Sequence, residues 1–228
     1  MDIARWAIKD ATLPESVISM GGRWVEGPDF EDQGQTPNME LSIFDYGQTL
    51  IVFETRGLVG KIDKFPNKVT NEFYLEEGAI IDGKFRPKGK DTSEPLAGVD
   101  YHVYPGGNFK NFINCVRSRK QEELNADILE AHLSSALCHL GNISYRLGAE
   151  VPFNTETTAL GGSKTISDSV MTILENTKAI GVDAATAKYR LGPKLAFDAK
   201  AEKFVNNPQA DLMLTRPYRK PFVVPVQV

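Results

Sequence analysis

The chain has 228 residues, 41% of them apolar, with a formal charge of −4 and a pI near 5.5. That length and apolar content suffice for one large domain with its own core. The near-balanced charge excludes an extended nucleic-acid surface, which needs a clustered basic patch, and the sequence has no run of about 18 apolar residues to span a membrane.

In chain order, Ile3, Ala7 and Ile8 give an apolar stripe that predicts a helix over residues 1–11, stopped by Pro14. Residues 16–25 read as a strand. Residues 38–46 and 48–56 read as a hairpin across Gly47. Met39, Leu41 and Ile43 alternate with Glu40 and Ser42, which predicts one buried face. Leu50, Ile51, Val52 and Phe53 are apolar on both faces, so this strand is expected at the centre of a sheet. Between the first two strands, the acidic stretch 27–36 (Asp29, Glu31, Asp32) reads as a solvated connection. A second hairpin is expected to join 67–76 to 79–86 near Gly78. The Lys-, Gly- and Pro-rich run 84–98 reads as an exposed loop, and 99–104 as a short strand.

The helical half begins at residues 108–120, where Phe109, Phe112, Ile113 and Val116 recur at helical spacing. Its end carries Arg117, Arg119 and Lys120, where cations suit the helix dipole. A second helix follows, with Asn125 as its expected cap, Asp127 in its first turn and Gly148 just past its end. Leu129, Leu133, Ala136, Leu140, Ile143 and Leu147 form its apolar face. Beside that face runs a polar stripe of His132, Ser135, His139, Asn142 and Arg146. The stripe either lines a ligand cleft or borders the core, satisfied by backbone and water. A two-histidine metal site is excluded, because the helical rise separates His132 and His139 by about 10 Å. Cys115 and Cys138 read as free thiols near helix contacts. A third helix is expected over 165–180, with Thr165 and Asp168 at capping-box spacing and Gly181 as its stop. Gly162 to Thr165 lacks the spacing of a P-loop. From 182 to 228 the density of Pro and aromatic residues predicts an irregular segment pinned to the domain surface.

Strands first and helices afterwards argue for an α+β fold: an open, largely antiparallel sheet with helices packed on one face. Such a sheet leaves an apolar face to be buried elsewhere. The strands over 38–56 therefore predict a homo-oligomer, most simply a twofold dimer with sheets face to face.

Specific wording adds to this pattern. Asp2, Arg5 and Trp6 fit the end of an H-x-x-D-x-x-R-W segment. Gly21-Gly22-Arg23-Trp24, Asp32-Gln33, Thr36-Pro37-Asn38 and Glu54-Thr55-Arg56-Gly57 follow in order, then the run 108–148 and the tail from Thr215 to Pro225. Taken together, these stretches resemble the C-terminal domain of the Gfo/Idh/MocA family of NAD(P)-dependent oxidoreductases, in the bacterial branch with an extended C-terminus. Glu76-Glu77-Gly78 departs from that family's more usual Gly-Thr-Glu-Gly turn.

The resemblance implies a dihydrodipicolinate-reductase-like fold in which residues 1–228 form one substrate-binding and oligomerisation domain, wrapped by the tail. It implies an oxidoreductase acting on a sugar or polyol, in which hydride passes between nicotinamide and a carbinol carbon. NAD or NADP would sit on an N-terminal domain. The G-x-G-x-x-G turn that cradles a dinucleotide does not occur here; Gly21-Gly22, Gly106-Gly107 and Gly161-Gly162 do not fit its spacing. The family's catalytic lysine, aspartate and histidine would precede Met1. The expectation is therefore that this chain alone holds no catalytic residue, binds no cofactor or metal, and is inactive by itself. Candidate substrate-pocket residues are Asp2, Arg5, Trp6 and His132. Their ordinary roles would be dipole compensation for Asp2, a bridge to the missing N-terminal domain for Arg5 and core packing for Trp6. The expected setting is a soluble protein of the bacterial cytoplasm or periplasm, with no nucleic-acid or membrane partner. Two alternatives stand beside this reading: a non-catalytic interaction module that dimerises through its sheet, and an NAD-assisted glycosidase of the same family.

Overall fold

Every residue of strand β1 (Ser16–Gly22) is buried, and the other elements are arranged around it. The computed structural model describes residues 1–25, 33–57, 69–96, 98, 102–153 and 158–225. Strand β2 (Met39–Asp45) pairs antiparallel with the whole of β1, from Ser16↔Asp45 to Gly22↔Met39. Strand β3 (Leu50–Arg56) continues the hairpin. The turn between them needs Gly47, whose φ is +81° and whose N–H donates to Asp45 Oδ1 at 2.9 Å. The other edge of β1 is shared. β10 (Leu195–Asp198) takes Ser16 and Val17, and β9 (Lys188–Leu191) takes Met20 and Gly21. β8 (Ala149–Pro152) pairs with β9, and β11 (Lys203–Phe204) with β10. Among the described residues, these seven strands form one antiparallel sheet. The chain is thus α+β, as the sequence indicates.

The two faces of β1 bury different sets. Val17 joins Phe44 and Ile51 beneath helix α3 (Ile128–Arg146), packing against its Leu133, Leu137, Leu140 and Ile143. Ile18 and Met20 join Leu41 and Ile43 beneath helix α4 (Lys164–Ala179), packing against its Ile166 and Ile173. Helices therefore cover both faces, which corrects the expectation of helices on one face. The physical reason is that β1 and β2 are apolar on both sides of the pleat, and each side requires a cover. The face that was to be buried in a sheet-to-sheet dimer is occupied by α4, so that premise for oligomerisation falls.

Four further expectations change. β3, expected at the centre, lies at the sheet edge among the described residues, and Leu50 and Phe53 are exposed there. β1 takes the centre because strands from the C-terminal quarter pair with it. Residues 182–228, expected as an irregular wrap, supply β9, β10, β11 and a short helix α5 (Pro208–Asp211). Tyr189 and Leu195 with Phe197 point inward from four-residue strands, too brief for their alternation to outweigh the prolines around them. Residues 79–86, expected as one strand, fold into β5 (Gly78–Ile81) and β6 (Lys84–Pro87). Asp82 and Gly83 between them both have positive φ, 51° and 71°, the geometry that a two-residue Asp-Gly hairpin loop favours. With β4 (Phe73–Tyr74) and β7 (Glu94–Pro95) they make a separate four-stranded sheet. The run 84–98, read as a loop, thus contains two strands. Most of the acidic stretch 27–36 lies outside the described residues, as do 99–101 of the strand expected at 99–104.

The helices begin one or two residues from where the sequence places them. Asp127, not Asn125, caps α3 by accepting the Leu129 N–H at 2.8 Å. Asn125 instead exchanges hydrogen bonds with the Tyr104 backbone, at 2.9 and 2.8 Å. Ser163, not Thr165, caps α4, and Gly181 follows its end at φ +87°. Helix α1 (Asp2–Trp6) is shorter than expected. Helix α2 (Gly107–Ser118) buries Asn111 and Cys115 and leaves Phe109, Phe112, Ile113 and Val116 exposed. Cys138 is exposed; neither cysteine is in a disulfide. Among the described residues, no helix is long and apolar enough to cross a membrane.

These placements set a contrast. Leu137 is fully buried under the sheet, whereas Phe109 is 89% exposed. Leu137→Ala should cost about 2–5 kcal/mol, while Phe109→Ala should stay within about 0.5 kcal/mol, both read from urea unfolding.

Candidate functional site

The residues singled out in the sequence lie around the N-terminal end of α3. Arg5, 3% exposed, joins α1 to α3. Its Nη1 donates to the Ala11 carbonyl at 2.8 Å, its Nε to Ser134 Oγ at 3.3 Å, and its Nη2 forms an ion pair with Glu130. Trp6 Nε1 donates to the same Glu130 oxygen at 2.9 Å, although most of the indole is exposed. Glu130 and Ser134 are four residues apart, so one face of α3 meets both ends of the Arg5 side chain. Hydrogen bonds from Arg5, and then from Trp6, hold the Glu130 carboxyl below its ordinary range. Tyr46 stands in the same region: burial pushes its phenol up to about 12, against the opposing charge of Arg5.

The structure thus brings Arg5 and Trp6 together on Glu130, a residue the sequence reading did not single out. Asp2 is exposed in the first turn of α1. His132 turns to Glu202, with Nε2 at 3.0 and 3.1 Å from its two oxygens. Of the polar stripe on α3, His132, Ser135, His139 and Arg146 are exposed and Asn142 is half-buried. The stripe faces away from the sheet, because the buried face is centred on Leu133, Leu137, Gly141 and Ser144.

A second group of polar residues gathers at the other end of α3, about 22 Å along the helix from Glu130. The strand register places Glu150, Arg190, Gly21, Glu40 and Thr55 in one row across β8, β9, β1, β2 and β3. Paired residues share a face of the sheet, so this row projects toward α3. Tyr145 descends onto it, with the Arg190 guanidinium 5.8 Å from its ring centroid. Here lies a cleft of about 180 Å³, whose lining includes Arg23, Trp24, Tyr145, Glu150, Lys188 and Arg190. Lys188 Nζ is 3.4 Å from Glu150, and Arg23 donates to the Thr36 carbonyl at 3.0 Å. Among the described residues, the Arg190 side chain has no hydrogen-bond or ion-pair partner. Gly21 keeps the floor of the row open, since a Cβ there would meet the Met39 carbonyl oxygen at 2.3 Å.

Glu40 borders the cleft. Burial raises its carboxyl pKa, and only a hydrogen bond from Ser42 Oγ, at 3.1 Å, opposes the shift. Burial likewise raises the Tyr145 phenol, beside the charges of Arg190 and Glu40. Sequence reasoning missed this cleft because its walls come from four separated segments, and no local spacing announces their meeting.

Comparison of the chain with protein-family models, with curated proteins and with solved structures gives no match.

The two ends of α3 carry opposite expectations. Arg5→Ala should cost about 2–3 kcal/mol, the scale of a lost charged hydrogen bond. Because the Glu130 pKa is depressed in the fold, its contribution is present at neutral pH and is lost as pH falls through that depressed value. Glu130→Gln should therefore melt below the parent at pH 7 and converge with it in acid. Glu40 has a raised pKa, so its charge opposes folding above that value. Glu40→Gln should melt above the parent at pH 7, with the gap closing as pH falls and Glu40 takes up its proton. Thermal melts from pH 7 to about 3, spanning the ordinary carboxylate range, check both signs.

Proposed function

We propose that this chain is the substrate-binding domain of a Gfo/Idh/MocA-like oxidoreductase that acts on a sugar or polyol, with NAD(P) carried by a separate dinucleotide-binding domain. The observation that carries the reading is the ordered set of family-like stretches, seated on an antiparallel α+β sheet. Within that set, the Asp2–Arg5–Trp6 segment is fixed by Glu130 to α3, the helix whose wording most resembles the family. Arg5 acts as a positioning residue in this reading. It holds α1 so that the exposed Trp6 indole and Asp2 carboxylate face outward at the edge of the domain. Hydride transfer demands that a carbinol carbon be held in line with the nicotinamide, and a rigid wall serves that end.

One observation favours a second reading, a non-catalytic interaction module. The apolar stripe of α2 is exposed along its length, at Phe109, Phe112, Ile113 and Val116, and stripes of this kind often mark association surfaces.

Two measurements separate the readings. The genomic sequence upstream of the Met1 codon should encode an in-frame dinucleotide-binding domain; its lack would favour the module. The chain alone, titrated with NADH and followed by cofactor fluorescence, should show no saturable binding. Micromolar affinity would refute the division of labour proposed here.

A further inference from the structure

We propose that the cleft at the C-terminal end of α3 binds the oxyanion group, carboxylate or phosphate, of a small hydroxylated molecule, with Arg190 and Lys188 as its anchors. The inference rests on the cleft itself and is independent of the NAD(P) reading.

Charge is the first argument. The lining carries Arg23, Lys188 and Arg190 against the single carboxylate of Glu150. Glu40 borders the site, and the sum remains positive even with Glu40 ionised. An anion entering the cleft therefore meets a favourable field, less screened there than on an open surface.

Donor geometry is the second. Arg23 contributes charge, its Nη1 already engaged with the Thr36 carbonyl. Arg190 is different. The residue is half-buried, its Cζ lies over the Tyr145 ring at 5.8 Å from the centroid, and it has no ion-pair partner among the described residues. That contact leaves the guanidinium N–H groups to an incoming oxyanion, and their fork suits bidentate recognition. Among the described residues Lys188 is bound only by Glu150, at 3.4 Å, and both side chains are more than half exposed. Such a surface pair is worth little, so a ligand oxyanion can draw Lys188 away from it.

Size and the remaining polar groups define the rest of the ligand. About 180 Å³ is room for roughly six waters at about 30 Å³ each, which suits a small molecule. The Tyr145 hydroxyl can accept from or donate to hydroxyl groups, and the Glu40 carboxylate beside it can accept from them. The Trp24 ring closes one side. It is held by Phe153 with centroids 5.2 Å apart, and Phe153 in turn packs on Tyr189 at 5.6 Å.

The test is calorimetric titration of the whole chain with gluconate, with glucose 6-phosphate and with neutral glucose. One or both anions should bind, glucose should not, and added salt should weaken the binding. Whichever anion binds more tightly identifies the oxyanion. Arg190→Gln should weaken binding about tenfold or more, the scale of a lost charge-assisted hydrogen bond. Glu150→Gln alters an exposed position and frees Lys188, so it should tighten binding severalfold; a gain of this kind cannot arise from damage to the fold. Glucose binding as tightly as the anions, no heat from either anion, or a Glu150→Gln variant that fails to tighten would each overturn the proposal.

Discussion

One backbone N–H, that of Ser19, governs how the sheet and its main helix fit together. At Ser19 the outer edge of β1 passes from β10 to β9, and neither strand reaches it. An unpaired donor buried there would cost about 1–3 kcal/mol. Ser144 of α3 supplies the missing acceptor at 3.0 Å and donates its own proton to the Pro193 carbonyl at 2.9 Å. The Ser19 carbonyl takes the Gly192 N–H at 2.8 Å. One helical serine thus completes the ladder and pins the crossing between β9 and β10. Gly192 is required at that crossing, because a Cβ would stand 2.3 Å from the Ser144 carbonyl oxygen. The helix comes close enough for these contacts because Gly141 lies over Ser42, where a Cβ would meet Oγ at 2.7 Å.

The same polar seam leads outward. Ser19 Oγ and Ser42 Oγ are 2.7 Å apart, and Ser42 Oγ donates to Glu40. Glu40 stands in the row with Gly21 and Arg190. The cleft is thus the outer end of the contact that sets helix on sheet. Its geometry is fixed by the core beneath it, as a preorganised binding site requires.

What could be read in the sequence was what neighbours in sequence decide. The β2–β3 hairpin, its Gly47 turn, the three longer helices and the Gly181 stop all rest on local periodicity or local backbone freedom. What could not be read depends on distant partners. β9 and β10 show only four residues of alternation each, and their reason to be strands is an open edge of β1 far earlier in the chain. The one-sided helix layer failed for a related reason: Leu41 and Ile43 declare one apolar face of β2, but Ser42 and Phe44 are also buried, against the other helix. Asp82-Gly83 is the exception, a local signal that was present and passed over. Among the site candidates, Arg5 was expected to face a missing domain and instead turns to Glu130 of α3, which sits within an ordinary helical turn and carries no mark of its role.

The two ends of α3 treat charge differently, and the difference separates structure from recognition. At the N-terminal end, Arg5 and Glu130 satisfy each other, Trp6 adds a third contact, and the Glu130 pKa falls accordingly. Little remains there for a charged ligand to gain. At the C-terminal end, Arg190 is left without a counter-ion among the described residues, and Glu40 is buried at a cost that its one serine does not offset. A fold selected for stability alone would pair these groups or replace them with apolar ones. Charged groups held at a cleft without a counter-ion are the kind of group whose partner arrives from outside the chain. On that reasoning the α1 end of the helix is built to hold the domain together, and the oxyanion chemistry belongs to the end where Arg190 waits on Tyr145.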